Sequence, residues 1–402
     1  MKRTTLNMKR SIVAALVVLA TGLTVQADAK PLKVFILAGQ SNMQGHVNVS
    51  TFDSMAADPK TAPILKEMRE SGGKPKVCDK VWISSIGCAD DDTTEQTGKL
   101  TTGFGASSEE IGPEFTFGIH MEKALNEPIL IIKTSWGGKS LHTDFRPPGA
   151  GPYVWSDYEL EQFKQRGDDL SKSKAEKIEA TGGYYRLMVA HVRKVLGDLK
   201  RVVPGYDEKQ GYEVAGFVWF QGFNDLVSDW TYEKGDQPGG YDLYGTLLAQ
   251  FIRDTRKDLN LPKMPFVIGV MGIGGEKEDR KPPQMHFRQA QKSVATLPEF
   301  KGNVVAVPTA RFWDDDLEAL QEKMESCWPK VDAKVAEEKD DSWENKMKHM
   351  ARNFTTAEWK RMKGASNGGY HYLGAAKIMA PIGKAFAETL LELRTTQQKV
   401  KP

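Results

Sequence analysis

Short apolar runs alternate with longer stretches of helical periodicity from residue 33 to the end of the chain. Lys33 to Ala38 (KVFILA) is almost continuously apolar and stops at Gly39, which predicts a strand buried on both faces. Ile129 to Lys133, Val214 to Phe220, Pro265 to Met271 and Asn303 to Val307 predict four more. Between them, Glu114 to Leu125 carries Phe115, Ile119, Met121 and Leu125 near helical spacing. Further helices are predicted over residues 184–199, 241–259 and 284–297. The last, about 373–394, sets Ile378, Ile382, Ala385, Phe386 and Leu390 on one face. Strands alternating with helices imply a parallel sheet covered on both faces. Such sheets bind ligands at the carboxyl ends of their strands, so the residues that follow each strand matter most. Two segments break the rhythm. Residues 142–182, rich in Gly, Pro, aromatics and charges, predict a long surface excursion. Residues 314–363 are charged and helix-prone, and predict a helical insertion before the last helix.

The N-terminus departs from the globular pattern. Lys2, Arg3, Lys9 and Arg10 precede a short apolar run, Ser11 to Val25, and Val25-Gln26-Ala27 offers small residues at a cleavage position. This predicts a secretory signal peptide over residues 1–27, followed by a single domain over 28–402 that is secreted or periplasmic. Removing residues 1–27 would take the formal net charge from +2 to −2. A near-neutral chain has no electrostatic footprint for nucleic acid, and the body has no run long enough for a membrane span. Cys78 and Cys88 could pair in an exported chain and leave Cys327 free; spacing alone does not decide it.

Candidate chemistry follows the strands. After the first comes Gly39-Gln40-Ser41-Asn42-Met43. A serine at a strand-to-helix turn presents its hydroxyl at the sheet rim, and the helix start offers free N–H groups to an oxyanion; equally, Ser41 could simply cap the helix. After the second strand, Trp136-Gly137-Gly138 allows close backbone approach, or forms a plain tight turn. After the third, Gln221-Gly222-Phe223-Asn224-Asp225 brings two side-chain amides to the same edge. Before the last helix, Asn367-Gly368-Gly369-Tyr370-His371 places an imidazole in a Gly-rich loop, where a weakly nucleophilic serine would need its base. The other six histidines, at 46, 120, 142, 191, 286 and 349, read as surface or packing residues.

These four blocks, in this order, resemble the SGNH hydrolase superfamily. More narrowly they resemble the sialate O-acetylesterases, a group that includes the acetylxylan esterases of carbohydrate esterase family six. GQSNM is the most specific block. The resemblance implies a three-layer, doubly wound, flavodoxin-like α/β fold of about five parallel strands. It also implies a serine esterase that removes O-acetyl groups from an acetylated poly- or oligosaccharide, with no metal or organic cofactor. Ser41 would be the nucleophile and His371 the base, with Gly137 or Gly138 and Asn224 as oxyanion donors and Gln40 and Gln221 beside them. Two positions depart from the pattern. Phe223 stands where many relatives have Glu, and Gly368 stands where the superfamily carries the acid that holds the histidine. Asn367, four before His371, is not an acid; a backbone carbonyl or a carboxylate from Asp314-Asp315-Asp316 could take that role instead. Aromatics at 136, 153, 155, 230 and 232 could line a sugar cleft. Two other readings share the fold: a lipase or lysophospholipase, and a carbohydrate-binding protein without turnover.

Overall fold

The structure is a computed structural model that describes residues 30–88, 91–277 and 282–400. The predicted signal peptide lies outside the described residues. The strands are β1 (Leu32–Gly39), β2 (Val47–Asn48), β3 (Val81–Ile86), β4 (Glu95–Lys99), β5 (Glu110–Ile111), β6 (Ile129–Ser135), β7 (Tyr212–Phe220), β8 (Phe266–Val270) and β9 (Val304–Pro308). Seven of them form one sheet in the order β4-β3-β6-β1-β7-β8-β9, while β2 and β5 pair as a separate antiparallel ribbon. Within the large sheet only β4 runs antiparallel, against β3. The five apolar runs are the contiguous block β6-β1-β7-β8-β9.

The expected count of about five strands is therefore too low, by β3 and β4, and the physical reason is composition. Ser84 and Ser85 interrupt the apolar pattern of β3, yet both are fully buried. Ser84 Oγ donates to Glu95 Oε1 at 2.7 Å and lies 2.9 Å from His191 Nε2. Buried hydroxyls with partners cost little, so a serine pair is tolerated inside the sheet. β4 is polar throughout (EQTGK), as an edge strand can be.

Alternate residues of β7 face opposite layers. Phe217 and Trp219 pack on Phe251 of the helix Asp242–Asp258, whereas Phe220 packs on Phe386 of the helix Ala376–Val400. On the latter face Phe35 of β1 meets Phe117 of the helix Glu114–Leu125. Helices thus cover both faces, and the β-strand core between them is close to fully buried.

The chain leaves β1 towards β3 and β6 on one side, then crosses back to β7 on the other. The loops after β1, β6 and β7 therefore meet at the crevice where a doubly wound sheet binds ligands. Residues 314–363 form three helices, Asp315–Glu338, Trp343–Ala351 and Thr356–Met362, with a small core of their own around Val331, Val335 and Met350. Residues 142–182 are only partly a surface excursion. They include the helices Asp157–Arg166 and Leu170–Ala180, and Phe145, Arg146 and Glu159 are buried. All three cysteines are free, buried thiols, so the pairing of Cys78 with Cys88 does not form. Cys88 Sγ is bonded instead to Ser85 and Ser135.

Candidate active site

The turn after β1 is built by close approach. A Cβ on Gly39 would lie 2.1 Å from the Phe220 carbonyl oxygen, so only glycine lets the end of β1 run this near β7. One short helix follows, Ser41–Gln44, and the Gln40 carbonyl accepts from Met43 N and Gln44 N at 2.8 Å each. The N–H groups of Ser41 and Asn42 are not used in the backbone ladder, as expected for the first turn of a helix. The helix ends at Gly45, whose φ of +95° and 2.2 Å approach to Gly112 Cα exclude a side chain. Beneath it Lys133 Nζ, fully buried, donates to the Gln44 and Phe104 carbonyls and pairs with Glu114 at 2.8 Å. Ser41 sits on this platform with only 6% of its surface exposed.

Gln40 and Gln221, expected beside the oxyanion, are joined to each other inside the protein. Gln40 Oε1 accepts from Gln221 Nε2 and Gly222 N at 3.0 Å and from Asn224 N at 3.3 Å. Gln221 Nε2 also donates to Asp225 Oδ2 and the Lys139 carbonyl, and its Oε1 accepts from Tyr244. The Gln40 oxygen and the whole Gln221 amide are thus committed to stitching the β1 loop to the β7 loop, while Gln40 Nε2 is buried without a partner among the described residues. The Asn224 side-chain amide makes no hydrogen bond among the described residues and is half-buried. Gly137 and Gly138 are exposed at the end of β6, with Gly138 at φ +73°.

Asp225 is a positioning residue that motif reading passed over. Its fully buried carboxylate accepts from Leu141 N, His142 N, Gln221 Nε2 and Tyr232 OH, which fixes the β6 loop against the β7 loop. Burial pushes its pKa up to about 6, against those hydrogen bonds. Tyr232, Tyr153 and Trp136, expected as possible sugar contacts, are buried packing residues. Trp155 and Trp230 are half-buried in a ring ladder through Phe163.

His371 lies in the segment Gly369–Gly374, which is in contact with the helix Ser41–Gln44. Tyr372, Leu373 and Gly374 all have positive φ, an unusual run for two non-glycine residues. Cross-ties hold it. Tyr372 OH accepts from Gly272 N at 2.8 Å and lies 2.7 Å from Thr309 Oγ1, beyond the ends of β8 and β9. Ser366 Oγ accepts from Asn48 N and donates to the Gly374 carbonyl.

The group that orients the imidazole is Asn367. Its Oδ1 accepts from Gly368 N at 2.8 Å and lies 3.0 Å from His371 Nδ1. A backbone N–H only donates, so the atom facing it is the amide oxygen, and His371 Nδ1 must carry the proton. That leaves Nε2 as the basic nitrogen. The carboxylate alternative does not occur. Asp314 bonds Lys377 and Arg361 and caps its own helix through Leu317 N, while Asp316 pairs with Arg361 and Asp315 with Lys277. The Ser41 hydroxyl makes no hydrogen bond to His371 among the described residues.

One histidine read as a packing residue belongs here. The His46 ring stacks on that of His371, centroids 3.9 Å apart and planes within 2°. Burial, and then the neighbouring His46, lower the His371 pKa to about 4. Burial and then the Lys133 cation lower that of His46 to about 4. Both rings are neutral near pH 7. Phe223 packs on Tyr370, and Tyr370 meets the edge of His371. No spacing rule relates His46 to His371, so sequence carried no signal for that pair.

A family model described as carbohydrate esterase, sialic acid-specific acetylesterase, matches residues 31–317. The chain belongs to this family, which makes it an esterase whose substrate class is carbohydrate. Among solved structures it is similar to a protein from Arabidopsis thaliana, at 18% identity over 69% of this chain and 86% of that one, with a TM-score of 0.37. A carbohydrate acetylesterase from Xanthomonas citri is 14% identical over 70% of this chain, with a TM-score of 0.36, and the match spans 51% of that protein. NanS is 14% identical over 69% of this chain and 78% of that one, with a TM-score of 0.38. No curated protein matches the chain. No helix among the described residues is long and apolar enough to cross a membrane.

Proposed function

We propose that the protein is an exported SGNH-type serine esterase that removes O-acetyl groups from an acetylated poly- or oligosaccharide, of the acetylxylan or sialate kind, through an acyl-enzyme on Ser41. The observation that carries this reading is the His371 ring, with Nδ1 tied to Asn367, Nε2 left basic, and its loop against the Ser41 turn. His371 Nε2 takes the Ser41 proton as Oγ attacks the ester carbonyl carbon. The carbonyl oxygen becomes an oxyanion, met by the Ser41 N–H, a Gly137 or Gly138 N–H and the Asn224 side-chain amide. The imidazolium then protonates the leaving sugar oxygen. Water attacks the acyl-enzyme by the same route and releases acetate, which returns the proton and the serine hydroxyl.

Asn367 supplies the orientation that a missing acid would otherwise supply, although without its charge. That supports turnover over a binding protein as far as ring orientation goes. Residues 1–27 act as the export signal, and residues 28–402 form a single esterase domain carrying the insertion at 314–363. The test is Ser41→Ala with an aryl acetate substrate, alongside covalent labelling of the parent chain by a fluorophosphonate. Loss of turnover and of labelling, with an unchanged melting curve, is expected. Parent-level hydrolysis by the folded variant would end the reading.

A further inference from the structure

A cavity of about 460 Å³ opens between the three-helix insertion and the loop that carries His371. Its walls are the indoles of Trp328, Trp343 and Trp359 and the thioethers of Met324, Met347 and Met362. Asn367 and Gly368 close it on the side of the base, so the residue that orients His371 also forms a wall of the cavity. It lies outside the part of the chain that the family model matches, because the insertion begins where that match ends.

Three features point to one class of occupant. First, the volume is that of a small-ligand site, a few sugar rings at most. Second, Trp343 stands at 66% exposure with its ring 5.9 Å from that of Trp328. Trp328 and Trp359 are backed by the small core of the insertion, so the indole surface is a fixed platform. Third, the wall holds a polar atom in need of a donor. Gln321 Nε2 donates to the Asn367 carbonyl at 2.9 Å, while Gln321 Oε1 is buried with no partner. Buried acceptors are rarely left unpaired, and a turn of the Gln321 side chain would bring this one to a ligand hydroxyl in the cavity. No acidic side chain lines the cavity. A pyranose ring meets all three conditions, with an apolar C–H face for the indoles and hydroxyls that can donate to the amide oxygen and accept from Lys363, the charged side chain of the lining.

We propose that this cavity is a subsite for a pyranose unit of the carbohydrate substrate, one beyond the unit that bears the ester. The proposal deepens the esterase reading and rests on it. It makes the insertion the part of the molecule that favours oligomers over acetylated monosaccharides. It also couples occupancy to chemistry, because Gln321 and Asn367 link the cavity wall to the imidazole.

The test measures binding apart from turnover. Full-length Ser41→Ala is titrated with unacetylated xylohexaose, cellohexaose and mannohexaose, followed by tryptophan fluorescence and calorimetry. At least one hexaose binds, its monosaccharide binds far more weakly, and Trp343→Ala weakens the hexaose about tenfold, as expected for loss of one stacked aromatic. Gln321→Leu, which keeps the volume and removes the acceptor, weakens it several-fold. Trp343 is largely exposed, so its truncation leaves the melting temperature close to that of the parent. Equal hexaose affinity in the parent, Trp343→Ala and Gln321→Leu chains overturns the subsite. So does a cavity that takes the apolar dye anilinonaphthalene sulfonate while no hexaose binds. Either result leaves aryl acetate hydrolysis by the Ser41 chain intact, and so separates failure of the subsite from failure of the esterase reading. Trp343-dependent sugar binding in a chain without hydrolysis would separate them in the other direction.

Discussion

The loop that carries Ser41 and the loop that carries His371 reach the same rim by different physics. The serine turn is local. An apolar strand, a glycine that permits close approach, and one helical turn follow one another within residues 32–44. Lys133 supports it from below through the Gln44 carbonyl. The histidine loop is not local. It runs through consecutive left-handed residues and is held by Tyr372 to the ends of β8 and β9, by Ser366 to Asn48, and by Gln321 to the insertion. A nucleophile can rest on short-range geometry. A base that must face it from about 330 residues away in sequence depends on long-range ties, so damage to those ties should act on proton transfer rather than on the serine.

That contrast can be broken at several points. The largest effect is expected from His371→Ala, which should lower kcat/KM for an aryl acetate by about four orders of magnitude while the serine turn stays folded. A loss under tenfold, read by steady-state kinetics, would mean that another group serves as the base. Asn224→Ala comes next. An oxyanion donor acts mainly in the transition state, so kcat should fall by roughly 10²–10³ with little change in KM. A change confined to KM would remove Asn224 from that role.

Asn367 sharpens the comparison further. Asn367→Ala should cost roughly tenfold in kcat, since the ring loses its orientation but not its basic nitrogen. Asn367→Asp should act on the pH profile instead. In the parent, His371 stays neutral down to about pH 4, so the acid limb of kcat/KM should fall near there. A carboxylate would favour the imidazolium, raise that pKa and move the limb upward. Activity at pH 5 should drop relative to the parent while activity at pH 8 holds or rises. An unmoved limb would show that residue 367 does not contact the base. The smallest effect is expected from His46→Phe. It keeps a ring on the face of His371 and removes the neighbouring charge-competent group, so the limb should rise by less than about one pH unit.

Legibility in the sequence followed the same division. The five central strands and the helices over 114–125, 242–258 and 376–400 were readable because buried parallel strands and amphipathic helices leave periodic signals. β3 and β4 were not, since buried serines with partners and a polar edge strand carry the composition of a loop. Ser41 and His371 stood out as residue types in telling places. Asn367 is legible only as a polar residue four before the histidine, since an amide carries no sequence mark of an orienting role. The spacing of four becomes effective through the tight turn that starts at Gly369, with Gly368 extended before it. Asp225 read as part of a turn, yet its four donors come from three separate segments of chain.

The sequence by itself determined the alternation of strand and helix, the serine at the first strand end, and the histidine before the last helix. Those are short-range properties, set by side-chain periodicity and by glycines where backbone must pass close. The tertiary structure alone decided which loops share the rim, that an amide rather than an acid holds the His371 ring, and that His46 lies flat on it. It also decided that the insertion closes a tryptophan-lined cavity beside the His371 loop. These follow from the crossover between β6 and β7 and from hydrogen bonds between residues up to 325 positions apart, whose free energy exists only once the sheet has formed.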